Sequence, residues 1–574
     1  MIVFYDFEVF KYDWLVVAIN PFKHEETVIV NDTQKLKTFF DENKNLIWSG
    51  YNVRHYDQYI MKAILADFDP WEMNEWLIRE NQPGWKFSSL LNKYKFTNYD
   101  VALLNKSLKQ LEGFQGHNIH ETGVDFRIKR KLTANEIAET IKYCRNDVEE
   151  AINIWLECKS DFDAQLALVK MFNMPVAAMG KTKAQLSAEV LECVRRDRDD
   201  EWDLFTLPCL VLNKPEYEKI ARWFLNKENQ DYSKSLTTMV CGLAHIFGWG
   251  GLHGAKEKYH FRCGPDDLLL HVDVGSYYPS LMIYWNLLTR NARKPELFKY
   301  IYDYRMELKH AGKKKEQAPL KIVLNGTYGI CKDKNSKAYD PRNANLICVN
   351  GQLLLLDLLE KLEAIPSFEL VQSNTDGLII KINRKDFDLV DDICYEWESR
   401  TKMNLEFDYI KEIYQKDVNN YVFTQYDGKV ERKGSYVKEL TSIDNDLPII
   451  NKALVDYMLK GIPPEQTINE CNDLMMFQKI CKLTGKFDYV TDRTGKHYTN
   501  KCYRIFASNN PNDEPIYKVK IKEGDNQYFK FANTSERAFI ENGEVKEKHI
   551  PRRLDRKWYI DLAKERLEQY GMEV

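Results

Sequence analysis

The sequence predicts a multidomain chain of mixed class, α/β in its first part and α+β beyond, and three observations predict it. Its 574 residues leave room for about three to five domains. Up to about residue 160, short β-type runs alternate with stretches of helical periodicity, the pattern of an α/β unit. From residue 268 an apolar strand leads first into helices and then into two strands around a tight turn, an α+β arrangement.

Residues 1–14 alternate and then run apolar, as an opening strand does. Residues 27–30 and 46–49 read as further strands, and 56–65 and 136–158 as helices with apolar residues at helical spacing. Residues 181–195 and 217–225 read as helices, and G-W-G-G-L-H-G at 248–254 as a glycine-rich loop. Residues 268–274 form an apolar strand ending near Asp273. A helix over 296–311 runs into the lysines at 313–315. Pro319 is expected to open the next helix, which carries Lys321 and Asn325 on one face. Residues 368–372 and 378–382 read as strands around a turn at 374–377. Beyond 430, short strands at 516–519, 528–531 and 537–540 precede a final amphipathic helix over 555–569.

Composition narrows the class. The 82 basic and 86 acidic residues nearly balance, at net charge −4, so no broad cationic face is expected. A local basic channel beside an acidic centre remains compatible with that balance. The 12 cysteines form no C-x-x-C pair, which argues against structural zinc and against a disulfide framework, and points to a reducing compartment. No apolar run reaches about 18 residues, so no membrane span is expected. The 33 tyrosines and 28 phenylalanines belong mainly to cores, with a minority left for base stacking.

Two carboxylate constellations carry chemistry. Asp6 and Glu8, two apart on a strand, share a face and repel unless a cation joins them. Asn52 and Asp57 lie in Y-N-V-R-H-Y-D, and Tyr143 and Asp147 lie four apart in Y-C-R-N-D. His55 reads as a surface or packing histidine. Oxygen ligands of this kind suit Mg²⁺ or Mn²⁺, and two such ions can activate water and stabilise a leaving oxygen. Farther on, Asp273 at a strand end and Asp376 in a turn suit a second pair of ions, about 3.5–4 Å apart, that act on a hydroxyl nucleophile and a triphosphate. Arg305 and Lys309 share a helix face and, with Lys321, suit a phosphate-gripping helical hairpin.

The ordered N-terminal triple resembles the three motifs of DEDDy-type 3′–5′ exonuclease domains. The segments D-V-G-S-Y-Y-P-S (273–280), K-I-V-L-N-G-T-Y-G (321–329) and N-T-D-G (374–377) resemble motifs A, B and C of family B DNA polymerases. The resemblance covers roughly residues 1–440, and implies a ribonuclease H-like exonuclease domain followed by a right-hand polymerase of palm, fingers and thumb. It implies that Asp6, Glu8, Asp57 and Asp147 hold the nuclease metals, with Asn52 near the DNA and Tyr143 orienting the attacking water. Lys129 or Lys131 would supply the lysine that assists some of these domains. Asp273 and Asp376 would hold the polymerase metals beside Val274 and Asn374. Ser276 would lie at the triphosphate, Tyr277 behind the nucleotide, and Tyr278 under the sugar, where it excludes a 2′-hydroxyl. Arg305, Lys309, Lys321 and Asn325 would face the triphosphate, and Tyr328 and Gly329 the nascent base pair. Gly250 and Gly251 would let backbone approach template. Lys433 and Tyr436, in E-R-K-G-S-Y, would hold the primer-template duplex.

The sequence departs from this pattern at Asn374, where an aspartate is usual, and at Tyr277, where leucine is common. Only 48 positions separate Asp273 from Lys321, and 51 separate Asn325 from Asp376. Those steps leave little room for the insertions of protein-primed phage polymerases, which favours ordinary nucleic-acid priming. The expected parts are an exonuclease domain (1–165), a linker region (166–265), palm (266–295 and 336–430), fingers (296–335), and thumb with C-terminal region (431–574). The resemblance implies a monomeric phage enzyme of the host-cell cytoplasm, with two Mg²⁺ per site (Mn²⁺ substituting). Primed DNA and dNTPs are its expected partners, joined by a phage single-strand-binding protein, helicase or primase. The rival reading, supported by Asn374, is a 3′–5′ exonuclease whose polymerase-like part only binds DNA.

Overall fold

In the computed structural model, which describes residues 2–119 and 121–573, the run I-V-F-Y-D-F-E-V forms strand β1 (Ile2–Val9), and every residue of it but Asp6 is buried. Burial on both faces requires cover on both sides. Tyr5 and Phe7 point into a core around Trp48, while Phe4 meets Trp155 at 5.7 Å on the other side. The chain turns at 10–13, where the Phe10 N–H donates to the Asp13 carbonyl at 2.8 Å. The expected single opening strand is therefore β1 plus the start of β2 (Trp14–Asn20). With β3 (Glu25–Val30), β4 (Ile47–Gly50) and β5 (Thr97–Asp100) the sheet order is β3-β2-β1-β4-β5. The first three strands run antiparallel, and β4 and β5 run parallel to β1.

The helix Ala134–Glu157 opens with a Thr133/Glu136 capping box and buries Cys144, Asp147, Val148, Ala151 and Ile154. These strands and helices belong to one compact unit, Met1–Thr182, Leu440–Ala453 and Glu465–Asp561. Its C-terminal segments form a three-stranded sheet (Lys479–Lys482, Cys502–Ala507, Ala538–Ile540) and a four-stranded one (His497–Tyr498, Tyr489–Thr491, Tyr517–Lys522, Asp525–Lys530). Arg504, fully buried, ties them to the N-terminal part. Its guanidinium donates to the carbonyls of Gly113 (3.1 Å) and His117 (2.7 Å) and to Gln478 Oε1 (2.9 Å). A buried cation is tolerable only when its donors are all used in this way.

The second unit comprises Lys183–Glu439, Leu454–Pro464 and Leu562–Val574. After its helices Lys183–Val190 and Pro215–Leu225 comes the hairpin β6 (Ser235–Val240) and β7 (Leu243–Gly248). Its main sheet uses β8 (Gly254–Ala255), β9 (Tyr259–Arg262), β10 (Asp267–Val274), β11 (Glu369–Ser373), β12 (Gly377–Asn383), β13 (Leu405–Asp417), β14 (Asn420–Gln425) and β15 (Val430–Lys433). The order is β15-β14-β13-β10-β12-β11-β8, with β9 on β13. The apolar run in β10 makes it the central strand.

Two helices differ from expectation. The helix Lys314–Lys332 starts before Pro319 and carries that proline inside it, so the missing N–H removes one early hydrogen bond instead of marking the start. The helix Pro341–Leu362, which the sequence reading passed over, is buried along almost its whole length. Its polar residues are buried too, and satisfied: Asn350 accepts from Leu207 N (2.8 Å) and Asp357 from Val211 N (2.7 Å). Among the described residues no helix is long and apolar enough to cross a membrane.

Candidate active sites

The first unit gathers Asp6, Glu8, Asp57 and Asp147. Period-two alternation puts Asp6 and Glu8 on the face of β1 that meets the helix Ala134–Glu157, and the thiol of Cys144 on that helix donates to the Asp6 carbonyl at 3.2 Å. Asp57 begins the helix Asp57–Leu65 and accepts from Phe7 N at 2.9 Å, which pins it against β1. Asp147 is held by Lys109 Nζ at 2.5 Å, and Lys109 also reaches Glu112 at 2.8 Å and lies 4.7 Å from the Tyr143 ring centre. Lys129 and Lys131 are exposed, and it is Lys109 that reaches Asp147. His55 is exposed, as expected. Asn52 is exposed in left-handed backbone (φ 62°), and its N–H and that of Arg54 both donate to Asp100. A cavity of about 690 Å³ opens here, lined by Asn52, His55, Leu104, Lys109, Tyr143 and Asp147.

Burial pushes the carboxyls of Asp6, Glu8 and Asp147 up, and the carboxylates raise Asp6 and Glu8 further by mutual repulsion. Asp57 is raised to about 7, chiefly by burial, against the lowering effect of the Phe7 N–H. Such a cluster is poorly compensated without a cation. The ligand atoms of Asp6, Glu8 and Cys144 lie within 4.8 Å of one another. Oxygen donors of this kind suit Mg²⁺ or Mn²⁺. Burial also raises the Cys144 thiol, so the sulfur stays protonated as a donor.

The second unit builds another acidic centre around β10. Asp273 stands opposite Gly377 of β12 and Glu406 of β13, and His271 stands opposite Asp408. The Val274 N–H donates to the Asp376 carbonyl at 2.8 Å, which clamps the 374–377 turn to the end of β10 and brings Asp376 beside Asp273. The carboxyl of Asp273 is raised to about 7 by burial first, then by Asp376 and Glu406. Asp273, Asn374, Asp376, Glu406, Asp408 and Lys433 line a polar cavity of about 510 Å³. Sequence reasoning passed over Glu406 and Asp408, which only the β10/β13 register brings to this wall.

Gly377 makes room for the acid: a Cβ there would meet Asp273 Oδ1 at 2.9 Å and the Val272 carbonyl oxygen at 3.0 Å. Gly377→Ala is expected to displace Asp273 and to abolish whatever activity this centre has, while the first centre keeps its own. Parallel assays of the two activities check this. Gly251 plays a similar part from the 248–254 loop, where a Cβ would lie 2.7 Å from Thr375 Oγ1, while Gly250 is exposed.

Ser276, at φ 52°, ends the strand-to-helix turn and lies 3.4 Å from Arg305 Nη1. Lys309 pairs with Glu406 at 2.9 Å. Tyr277 is buried, and Tyr278 packs on Tyr328 at 4.5 Å between ring centres. Lys321, Asn325 and Gly329 are exposed along one face of the helix Lys314–Lys332 and do not line the cavity. Tyr436 does not line it either; it lies 4.0 Å beneath the Arg566 guanidinium. The Asn374 amide oxygen accepts from the Thr375 N–H at 2.8 Å, so Asn374 serves its own turn.

Both clusters make metal-free stability fall with pH. Asp57 and Asp273 titrate near 7 in the folded chain and about 3.9 when unfolded, so the folded state holds more protons between those values. Their contribution is most favourable below about pH 4 and is lost as pH rises to about 7. Mg²⁺ or Mn²⁺ is therefore expected to raise Tm more at pH 8 than at pH 5.5, as read by calorimetry.

No family model matches the chain, and no curated protein matches it. Among solved structures it is similar to the family B DNA polymerase from the hyperthermophilic archaeon Pyrobaculum calidifontis. That match has 13% identity and a TM-score of 0.40, over 100% of this chain and 78% of the other. A likeness of that degree decides nothing about activity.

Proposed function

We propose that the chain is a template-directed DNA polymerase with its own 3′–5′ exonuclease, each activity served by one carboxylate centre. The clamp that sets Asp376 beside Asp273 carries the reading, because it joins two separated sequence segments into one acidic site. Asp273 and Asp376 would hold two Mg²⁺ in the second unit, and Asp6, Glu8, Asp57 and Asp147 two in the first. When bound, such ions lower the pKa of a hydroxyl or water and stabilise the leaving oxygen.

The chain's own groups supply the rest. Arg305 and Lys309 flank Ser276 and the acidic wall, where a triphosphate would sit, and charge-assisted hydrogen bonds would hold its oxygens. Lys321 and Asn325, one turn apart, would meet it from the fingers helix. Tyr278, packed against Tyr328 with their rings tilted by 49°, would meet the sugar and base. Lys433 would contact primer-template phosphates from the cavity rim. Binding to primed DNA would fall with salt as counterions are released. In the first unit, Tyr143 would orient water and Lys109 would keep Asp147 ionised and in place. The sheet order, with β4 and β5 parallel to a three-stranded meander, supports a ribonuclease H-like domain there.

The test is extension of a primer on circular single-stranded DNA with Mg²⁺ and dNTPs, with and without a downstream duplex. Extension supports the reading; degradation of primers without any extension overturns the polymerase claim. That second outcome is what the rival reading expects, a nuclease whose second unit only binds DNA, and the uncharged Asn374 is the observation in its favour.

A further inference from the structure

Cys144 is a buried group that the proposed reactions do not use. It lies on the helix Ala134–Glu157, one residue after Tyr143 and three before Asp147. Its sulfur is 3.2 Å from the Asp6 carbonyl oxygen and 3.4 Å from Asp6 Oδ2, across 138 positions of sequence. The single S–H proton is shared between them, so one bifurcated bond joins Cys144 to the Asp6 backbone and to its carboxylate. Among the described residues, Cys144 is the one side chain that hydrogen-bonds the Asp6 carboxylate.

We infer that Cys144 is a positioning residue for the nuclease centre, holding the Asp6 carboxylate in the rotamer that presents its other oxygen to a divalent cation. This rests on the nuclease reading of the first unit. The physical reason is the carboxylate's surroundings. Asp6 shares its site with Glu8, Asp57 and Asp147, all of which repel it, so an ungripped side chain would turn away from them. The thiol opposes that turn at little electrostatic cost, because it is neutral and fully buried. Mg²⁺ demands near-ideal octahedral geometry and gives up water reluctantly, so a wandering carboxylate weakens it most.

The experiment uses the full chain with Cys144→Ala and Cys144→Ser. Binding of Mn²⁺ is followed by electron paramagnetic resonance, Mg²⁺ by competition, and hydrolysis of an end-labelled single-stranded oligonucleotide is measured against each cation. In Cys144→Ala, half-saturating Mg²⁺ is expected to rise about 10- to 100-fold, the usual effect of removing a group that orients a ligand. Mn²⁺ should suffer less, so the ratio of Mn²⁺- to Mg²⁺-supported hydrolysis should increase. Cys144→Ser, which keeps a donor, should recover most of the loss, and primer extension should be unchanged in both variants. Wild-type Mg²⁺ binding in Cys144→Ala overturns the inference, as does a serine variant no better than alanine, which would assign the residue to packing. If the wild type binds Mn²⁺ and Cys144→Ala weakens that binding, yet no variant hydrolyses DNA, the positioning role stands and the nuclease reading fails.

Discussion

Asp376→Ala is expected to abolish primer extension and to leave hydrolysis of single-stranded DNA at the wild-type rate. Loss of one preorganised electrostatic group in an active site already costs about 100- to 1000-fold, and Asp376 is one of only two carboxylates that the motif reading assigns to this centre. Its side chain is exposed in a turn whose position is set by the backbone, through Asp376 O to Val274 N and Asn374 N to Gly377 O, both 2.8 Å. The alanine chain keeps both bonds, so the fold survives while the charge is lost. Asn374→Asp serves as the companion variant. It adds a charge beside Asp376 while its oxygen can still accept from Thr375, and its effect on cation preference, measured in the same assay, should be far smaller than the loss at Asp376. Extension at the wild-type rate by Asp376→Ala would sink the assignment.

Asp6→Ala is expected to give the reverse separation, with extension kept and hydrolysis reduced by at least about 100-fold. The same change is expected to raise Tm in metal-free buffer at pH 8, because it removes one of several closely placed carboxylates that repel each other. It should also shrink the stabilisation that added Mn²⁺ provides. An ordinary buried truncation lowers Tm, so an increase in the metal-free protein separates a charge cluster built around a cation from a merely structural set of acids. Differential scanning calorimetry with and without chelator reads both effects.

Short-range pattern carried much of this. The Asp6/Glu8 pair was legible because a strand repeats every two residues, and Asp273 and Asp376 because a strand end and a tight turn mark themselves locally. Lys109 was not legible. It sits on a short helix, Leu108–Phe114, and meets Asp147 only after the chain has folded across 38 positions. Glu406 and Asp408 lie in a strand of alternating polarity, and their place beside Asp273 depends on a register that only sheet pairing sets. The helix Pro341–Leu362 was missed for the opposite reason: buried along almost its whole length, it spends its polar residues Asn343, Asn350 and Asp357 on internal hydrogen bonds, so no charged outer face marks it as an amphipathic helix. Pro319 misled because a proline favours the first turn of a helix without requiring it.

The contacts made by Arg504 bear on the order in which the chain can be completed. The 113–119 segment, next to Lys109 and Glu112, is stitched to the C-terminal sheets by the Arg504 guanidinium and by Ile119 N to Asn542 O (2.8 Å) and Val545 N to Gly116 O (3.0 Å). Residues that leave the ribosome early thus wait for some of the last to be made before their carbonyls are paired. Contacts of such long sequence separation form late in folding and leave partly built intermediates exposed. The nascent chain therefore has an unfinished first unit throughout the synthesis of the second. A ribosome stalled before residue 504 would release a product whose N-terminal strands exist but whose lysine-bearing helix has nothing to close it.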